Sequence, residues 1–166
     1  MTAKEYPIRL SDGQQLTVLG NPIKVKGQKV QVLAVRKYSG KYDHTFYAID
    51  HIPTGALVGA GFAYLSLARK IAYEILLVCD PIKIASAHVP VAISSMPPQL
   101  ADYVGFFRAK EVKEPPSFED FISGPEYEHI ISQRSRDEVL RRQEQEHLQQ
   151  LHEGNHSLGW IPGGGE

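Results

Sequence analysis

Cysteine is almost absent from this sequence, and its scarcity excludes two kinds of structure. Cys79 is the only cysteine among 166 residues, so neither an internal disulfide nor a zinc site built from several thiolates can form. The residues before Cys79 are apolar, which is typical of a cysteine that packs as a small hydrophobic residue. We therefore expect a protein of a reducing, cytoplasmic compartment.

Long apolar runs are also missing. The longest lies around residues 75–78, whereas a helix that spans a bilayer needs roughly 20 apolar residues. The first ten residues lack the apolar segment of a secretory signal. Hydrophobic residues nevertheless make up 42% of the chain and charged residues 22%, which is enough for a packed core. The composition predicts one folded domain with a smaller additional element, and no membrane partner.

Each sign of charge is scarce in one part of the chain. Residues 1–113 hold 14 Lys and Arg against 8 Asp and Glu, whereas residues 114–166 hold 4 against 11, with no lysine. Acidic residues are absent from residues 24–41, which we call the basic window. A basic body with an acidic tail favours binding to acidic partners. The cations of the basic window are Lys24, Lys26, Lys29, Arg36, Lys37 and Lys41.

Two tyrosines, Tyr38 and Tyr42, lie within or beside the basic window. Aromatic rings next to cations are typical of surfaces on which bases stack while the cations bind phosphates. The sequence therefore predicts contact with nucleic acid, a nucleoprotein or another acidic surface, if these side chains share one face of a sheet. Whether they share it is left open by the sequence.

Alternating patterns predict most of the strands. Residues 7–19 indicate a β-hairpin with its turn at Asp12-Gly13, and Gly20-Asn21-Pro22 is expected to interrupt the chain after it. The strand expected at residues 29–38 is apolar on both faces at its centre, so we place it inside the sheet. Further strands are expected at residues 44–51, 56–61 and 82–94.

Helical spacing predicts the remaining elements, at residues 64–79, 98–109, 118–123 and from Glu126 to about His152. In the first helix, Ala68, Ile71, Ala72, Ile75 and Val78 form the apolar face, and Glu74 is placed opposite them. The predicted fold class is α+β, with a mainly antiparallel sheet of about five to seven strands and two helices on one face. This body covers residues 1–112, and an acidic tail with a long polar helix covers residues 113–166.

The tail offers a second binding surface. Its helix is strongly polar, with a thin apolar set that could contact a separate protein, the body of the same chain or a second copy. The single tryptophan, Trp160, follows the helix and could anchor in a pocket of a partner. The apolar set that we assign to protein contact consists of Ile130, Ile131, Val139 and Leu140.

One layout within the body resembles a known class of domain. Residues 34–73 run strand, loop, strand, Thr-Gly turn, strand and helix, through "AVRKYSGKYDHTFYAID", "TGALVG" and "LARKIAY". This order resembles the DNA-binding domains of the AP2 and integrase-arm type, in which a three-stranded sheet packs on a helix. The resemblance implies DNA contact through the sheet. The tryptophans and arginines that read bases in those families have no counterparts here.

A short stretch near the end of the chain resembles a zinc-peptidase signature. His152, Glu153 and His156 have the His-Glu-x-x-His spacing, in which a helix brings two histidines to one metal ion. The third-ligand position of the longer pattern is Pro162, which cannot bind metal. Gly154 is expected to end the helix.

The favoured function is therefore that of a small, non-catalytic binding or adaptor protein, with no catalytic residue and no cofactor assigned. The competing hypothesis is a hydrolase, either zinc-dependent through His152 and His156 or using Tyr42, His44 and His51. Within that second group, His44 and Asp50 lie roughly 20 Å apart along one strand, so they cannot act as a catalytic pair.

Overall fold

The computed structural model describes residues 2–25, 31–39, 44–79, 96–108 and 110–157, with only the backbone of residues 151–157. The chain forms two compact units, Met1–Ile122 and Ser123–Glu166. The sequence placed the boundary after Val112, whereas the first unit continues for ten further residues because these carry a short helix that packs on the body.

Among the described residues, five antiparallel strands form the sheet, which confirms the predicted fold class. They lie side by side in chain order, so the third strand is an inner strand, as its apolar centre predicts. The expected strand at residues 82–94 lies outside the described residues. The strands are β1 Lys4–Arg9, β2 Gln15–Pro22, β3 Leu33–Ser39, β4 Thr45–His51 and β5 Ala56–Phe62.

Strand β2 does not stop at Gly20, contrary to the sequence expectation. It continues through Asn21 and Pro22, which pair with β3 after the earlier part of the strand has paired with β1. The sheet also curls, because the Arg9 amide at the end of β1 donates a 2.8 Å hydrogen bond to the Gly55 carbonyl beside β5. Gly55 has φ +68°, and a Cβ there would lie 2.9 Å from the Pro7 carbonyl oxygen.

Two helices pack on one face of this sheet, as predicted. Helix α1 contacts β3, β4 and β5. The second helix reaches the same layer, since a Cβ at Gly59 of β5 would lie 3.2 Å from Val104. The helices are α1 Leu65–Val78, α2 Pro98–Phe106, α3 Phe118–Ile122 and α4 Pro125–Ser157.

The apolar face of α1 is largely as predicted, with two exceptions. Ala68, Ile71 and Ile75 are fully buried, but Val78 at the end of the helix is 38% exposed. Glu74, expected on the polar face, is buried. Its carboxylate accepts the Phe118 amide hydrogen at 3.2 Å and pairs with Lys70 at 2.6 Å. Glu74 is therefore buried because α3 packs on α1.

Helix α3 is held by aromatic packing and by its own capping residue. The ring of Tyr103 in α2 makes edge contacts with Phe118 and Phe121, and its hydroxyl donates a 2.7 Å hydrogen bond to the Pro116 carbonyl. The Ser117 hydroxyl accepts the Asp120 amide hydrogen at 3.1 Å, an arrangement typical of a helix start.

The second unit is dominated by α4. Gly124 precedes its first residue, as expected, but the helix continues through Gly154 to Ser157, so the expected stop at Gly154 is wrong. A glycine lowers helix stability without ending a helix whose backbone hydrogen bonds continue on both sides. Within the described part of the chain, no helix combines the length and the apolar character that a bilayer crossing requires.

Candidate functional site

The β3–β4 hairpin carries a row of aromatic side chains on one of its faces. Tyr38 of β3 lies directly opposite Phe46 of β4, and their ring centroids are 6.0 Å apart. His44, two residues before Phe46, has its ring 6.3 Å from that of Phe46. His44 is exposed and the two other rings are half-buried. We call Tyr38, Phe46 and His44 the aromatic row.

Arg36 lies at the inner end of the aromatic row, where its charge is balanced. Its guanidinium carbon is 5.6 Å from the centre of the Tyr38 ring, and its Nε donates a 2.6 Å hydrogen bond to Asp50. The same carboxylate oxygen accepts a 2.9 Å hydrogen bond from the Tyr6 hydroxyl. The cation that the sequence assigned to partner binding therefore neutralises an internal acid.

Asp50 is the most constrained member of this group, because its side chain is 1% exposed. Burial raises the pKa of the carboxyl, and the Arg36 and Tyr6 hydrogen bonds offset that rise only in part. Burial, together with the Asp50 charge, also raises the pKa of the Tyr6 hydroxyl. Among the described residues, Asp50 Oδ1 has no hydrogen-bond partner. Nothing in the local sequence signals this group, since it joins strands β1, β3 and β4.

The β1–β2 hairpin covers the inner half of the face that carries the aromatic row. Tyr6 and Ile8 of β1 pack with Ala34 of β3 in a small apolar cluster, to which Val18 and Ile52 add. Strands β3, β4 and β5 pair in chain order and α1 contacts all three, so the expected order of elements is present, whereas the DNA contact that the resemblance implies stays a prediction. Among the described residues, the half-buried rings of the aromatic row leave this face partly open beyond the apolar cluster.

The predicted basic residues do not all lie on this face. Side chains alternate along β3, so Arg36 and Tyr38 share one face while Lys37 lies on the other, beside Tyr47 in register. Lys37 is exposed, as is Lys24 just after β2. The remaining predicted residues lie outside the described part of the chain, namely Lys26, Lys29, Lys41 and Tyr42.

The histidines proposed for catalysis lie in different surroundings. The Nδ1 of His51 is 2.6 Å from the Thr54 hydroxyl, so this buried ring supports the turn between β4 and β5. His44 belongs to the aromatic row, and Tyr42 lies outside the described residues. Within the parts of the chain that are described, no three His, Cys, Asp or Glu side chains form a group that could hold a metal ion.

The zinc hypothesis and the tail surface stay predictions. His152 and His156 lie four residues apart in continuous helical backbone. On the tail, Ile131, Val139 and Leu140 are exposed, between 47% and 56%, and Ile130 is half-buried. Trp160 lies outside the described residues.

Cys79 is a poor candidate for a nucleophile, because burial raises the pKa of its thiol.

The residues that sequence reasoning missed are Phe46, which completes the aromatic row, and Tyr6 and Asp50, which fix its inner end. The alternating pattern predicts that Tyr38 lies opposite a residue of β4. Only the register of the sheet identifies that residue as Phe46.

Comparison with protein families, with curated proteins and with solved structures gives no match for this chain.

Proposed function

We propose that this protein is a non-catalytic binding or adaptor protein that contacts nucleic acid through the β3–β4 hairpin. The observation that carries this proposal is the aromatic row, which is partly exposed on a sheet face next to the basic window. Exposure of aromatic rings to water costs free energy. Nucleic acid can remove this cost, because its bases stack on the rings while its phosphates contact neighbouring cations. We also propose a cytoplasmic setting, in which the single thiol of Cys79 stays reduced.

The charged part of the proposed interface is formed by lysines more than by Arg36. Lys24 and Lys37 are exposed. Lys37 lies on the face of the hairpin opposite the aromatic row, so it acts on phosphates through the positive potential that it adds to the hairpin and not through direct contact beside the rings. Arg36, by contrast, is held by Asp50. Removing Arg36 would leave the Asp50 charge buried and unpaired, which damages the fold. Lysine variants therefore test the proposal, and an Arg36 variant does not.

The test is a binding titration of the intact chain with fluorescein-labelled oligonucleotides at several salt concentrations. Affinity is expected to fall steeply with salt, and Lys24→Ala and Lys37→Ala should each reduce the salt slope by about 1. Arg142→Gln is the matched control, because Arg142 is an exposed cation of α4. Its titration should match that of the unmodified protein.

A parallel titration with polyglutamate separates the two kinds of acidic partner. Equal binding of polyglutamate and nucleic acid at matched charge would redirect the proposal to acidic protein surfaces. Absence of nucleic-acid binding at low salt would overturn the nucleic-acid proposal.

A second proposal concerns the tail, whose exposed Ile131, Val139 and Leu140 we assign to contact with a protein, including a second copy of this chain. Capture experiments should compare the full chain with the same chain ended at Ile122, and with an Ile131→Ser/Leu140→Ser variant. Sedimentation of the same three proteins tests self-association. Identical captured proteins, together with sedimentation as a monomer for all three, would contradict the assignment.

A further inference from the structure

We propose that the aromatic row selects unpaired bases, so that the chain prefers single-stranded to double-stranded nucleic acid. This inference rests on the proposed function and names the class of nucleic acid that the β3–β4 hairpin takes. It depends on the chemistry of the rings, on the area that the β1–β2 hairpin leaves open, and on the charge balance at Arg36.

The rings of the aromatic row are free of parallel stacking with one another. The planes of Tyr38 and Phe46 are tilted by 34°, and those of His44 and Phe46 by 54°. Their faces are therefore not consumed by mutual stacking. In a duplex both faces of every base are covered by neighbouring bases, so a side-chain ring gains stacking energy only from a base that is unpaired.

The open area is short, which also favours a single strand. The cluster of Tyr6, Ile8 and Ala34 occupies the inner half of this sheet face, so the row is confined to the tip of a two-stranded hairpin. Readout of a duplex groove requires polar side chains directed at base edges. Here the described side chains of the row are two carbon-rich rings and one imidazole.

On this face the Arg36 guanidinium is paired with Asp50 at 2.6 Å, so it is not available to phosphates. Phosphate attraction by the lysines is stronger for a duplex than for a single strand, because the duplex has the higher charge density. Tighter binding of the single strand must therefore come from the rings. The difference in affinity between single strand and duplex can therefore be measured separately from the overall affinity for nucleic acid.

The first experiment needs only the unmodified full chain. A labelled oligothymidylate is compared with a duplex of the same length and with a strand of the same length whose central nucleotides are abasic. We expect the intact single strand to bind about tenfold more tightly than either, since each lost base stack weakens binding on that order. Equal affinity for the intact and abasic strands would overturn the inference.

Side-chain replacement gives the second test. Tyr38→Leu and Phe46→Leu keep apolar bulk but remove the rings, and each should weaken single-strand binding about tenfold while leaving duplex binding unchanged. Tyr47→Leu, on the opposite face of the same hairpin, is the matched control and should bind as the unmodified protein does. Thermal midpoints of all three variants show whether they fold.

The outcomes separate the inference from the function on which it rests. Binding of single strand and duplex with equal affinity, or ring variants that bind the single strand normally, would overturn the single-strand preference and leave nucleic-acid binding in place. Binding of neither at low salt would overturn both.

Discussion

Gly20 shows how a single residue permits close packing between strands β1, β2 and β3. A Cβ at this position would lie 2.6 Å from the Tyr6 hydroxyl oxygen and 3.1 Å from the Val35 carbonyl oxygen. The Tyr6 hydroxyl is bonded to Asp50 and the carbonyl belongs to the backbone, so neither can move without breaking a contact. Glycine is therefore required for β2 to continue past the ring.

We expect Gly20→Ala to lower the free energy of unfolding by about 1–3 kcal/mol, the usual cost of overpacking. The matched control is Gly105→Ala in α2, where no heavy atom lies within 4 Å of the added Cβ; it should raise stability by up to about 1 kcal/mol through helix propensity. Urea unfolding measures both. An unchanged free energy of unfolding in the Gly20→Ala variant would show that the Tyr6 ring can move away from this position.

Asp50 predicts a pH dependence of stability. Its pKa is raised above the ordinary 3.8 by burial, so the native state holds the proton more tightly than the unfolded state. Its contribution to stability is therefore full below about pH 3.8 and is lost as the pH rises through the raised pKa. Relative to Asp50→Asn, the unmodified protein should lose stability across that window in urea unfolding at a series of pH values.

Tyr6→Phe provides the companion variant for this prediction. The Tyr6 hydrogen bond lowers the pKa of Asp50, so its loss should raise that pKa further and move the decline in stability to higher pH. If stability of the unmodified protein instead rose with pH relative to Asp50→Asn, the carboxyl would be stabilised in its charged form.

At the scale of elements, α1 and α3 are joined by Glu74. Its carboxylate accepts the Phe118 amide hydrogen at the start of α3, and the other oxygen pairs with Lys70. Residues 74 and 118 are distant in sequence, so helical periodicity assigned Glu74 to solvent. The buried position results from how α3 folds back on the body.

Glu74→Ala should cost about 1–3 kcal/mol, because a partly buried amide loses its acceptor, and should speed amide exchange in residues 118–122. Lys70→Ala is the control. The Lys70 side chain is 41% exposed, so its loss should cost no more than about 1 kcal/mol. Similar losses for both variants would mean that the ion pair, not the contact with α3, matters.

At the scale of the whole molecule, the chain divides into two compact units after Ile122. The buried residues of the body include Phe121, which packs on Tyr103. Cutting the chain after Ile122 retains these aromatic contacts, whereas cutting after Val112 removes them. The two truncations therefore locate the end of the cooperative unit.

The chain ended at Ile122 should unfold at the same urea midpoint as the same unit in the full protein, with a single transition. The chain ended at Val112 should be less stable by about 3–5 kcal/mol, the cost of losing a buried phenylalanine. Equal midpoints for both truncations would place the boundary at Val112, where the sequence put it.

Local patterns in the sequence predict most of the described elements of this protein. The apolar centre of β3 identified an inner strand, Asp12-Gly13 marked the turn of the first hairpin, and period-two and helical patterns predicted the α+β class. These features are local, because each depends on residues within one or two turns or strands. Local propensity was insufficient at Gly20 and Gly154, where strand and helix continue because neighbouring backbone hydrogen bonds are maintained.

The surroundings of the charged and aromatic residues depend on tertiary contacts. The basic window predicted a set of available cations, yet Arg36 is taken by Asp50, Lys37 lies on the opposite face, and Phe46 enters through strand register. Tyr6 and Asp50 are 44 residues apart, as are Glu74 and Phe118. Contacts of this range depend on how the strands curl and the helices fold back, which no local pattern encodes.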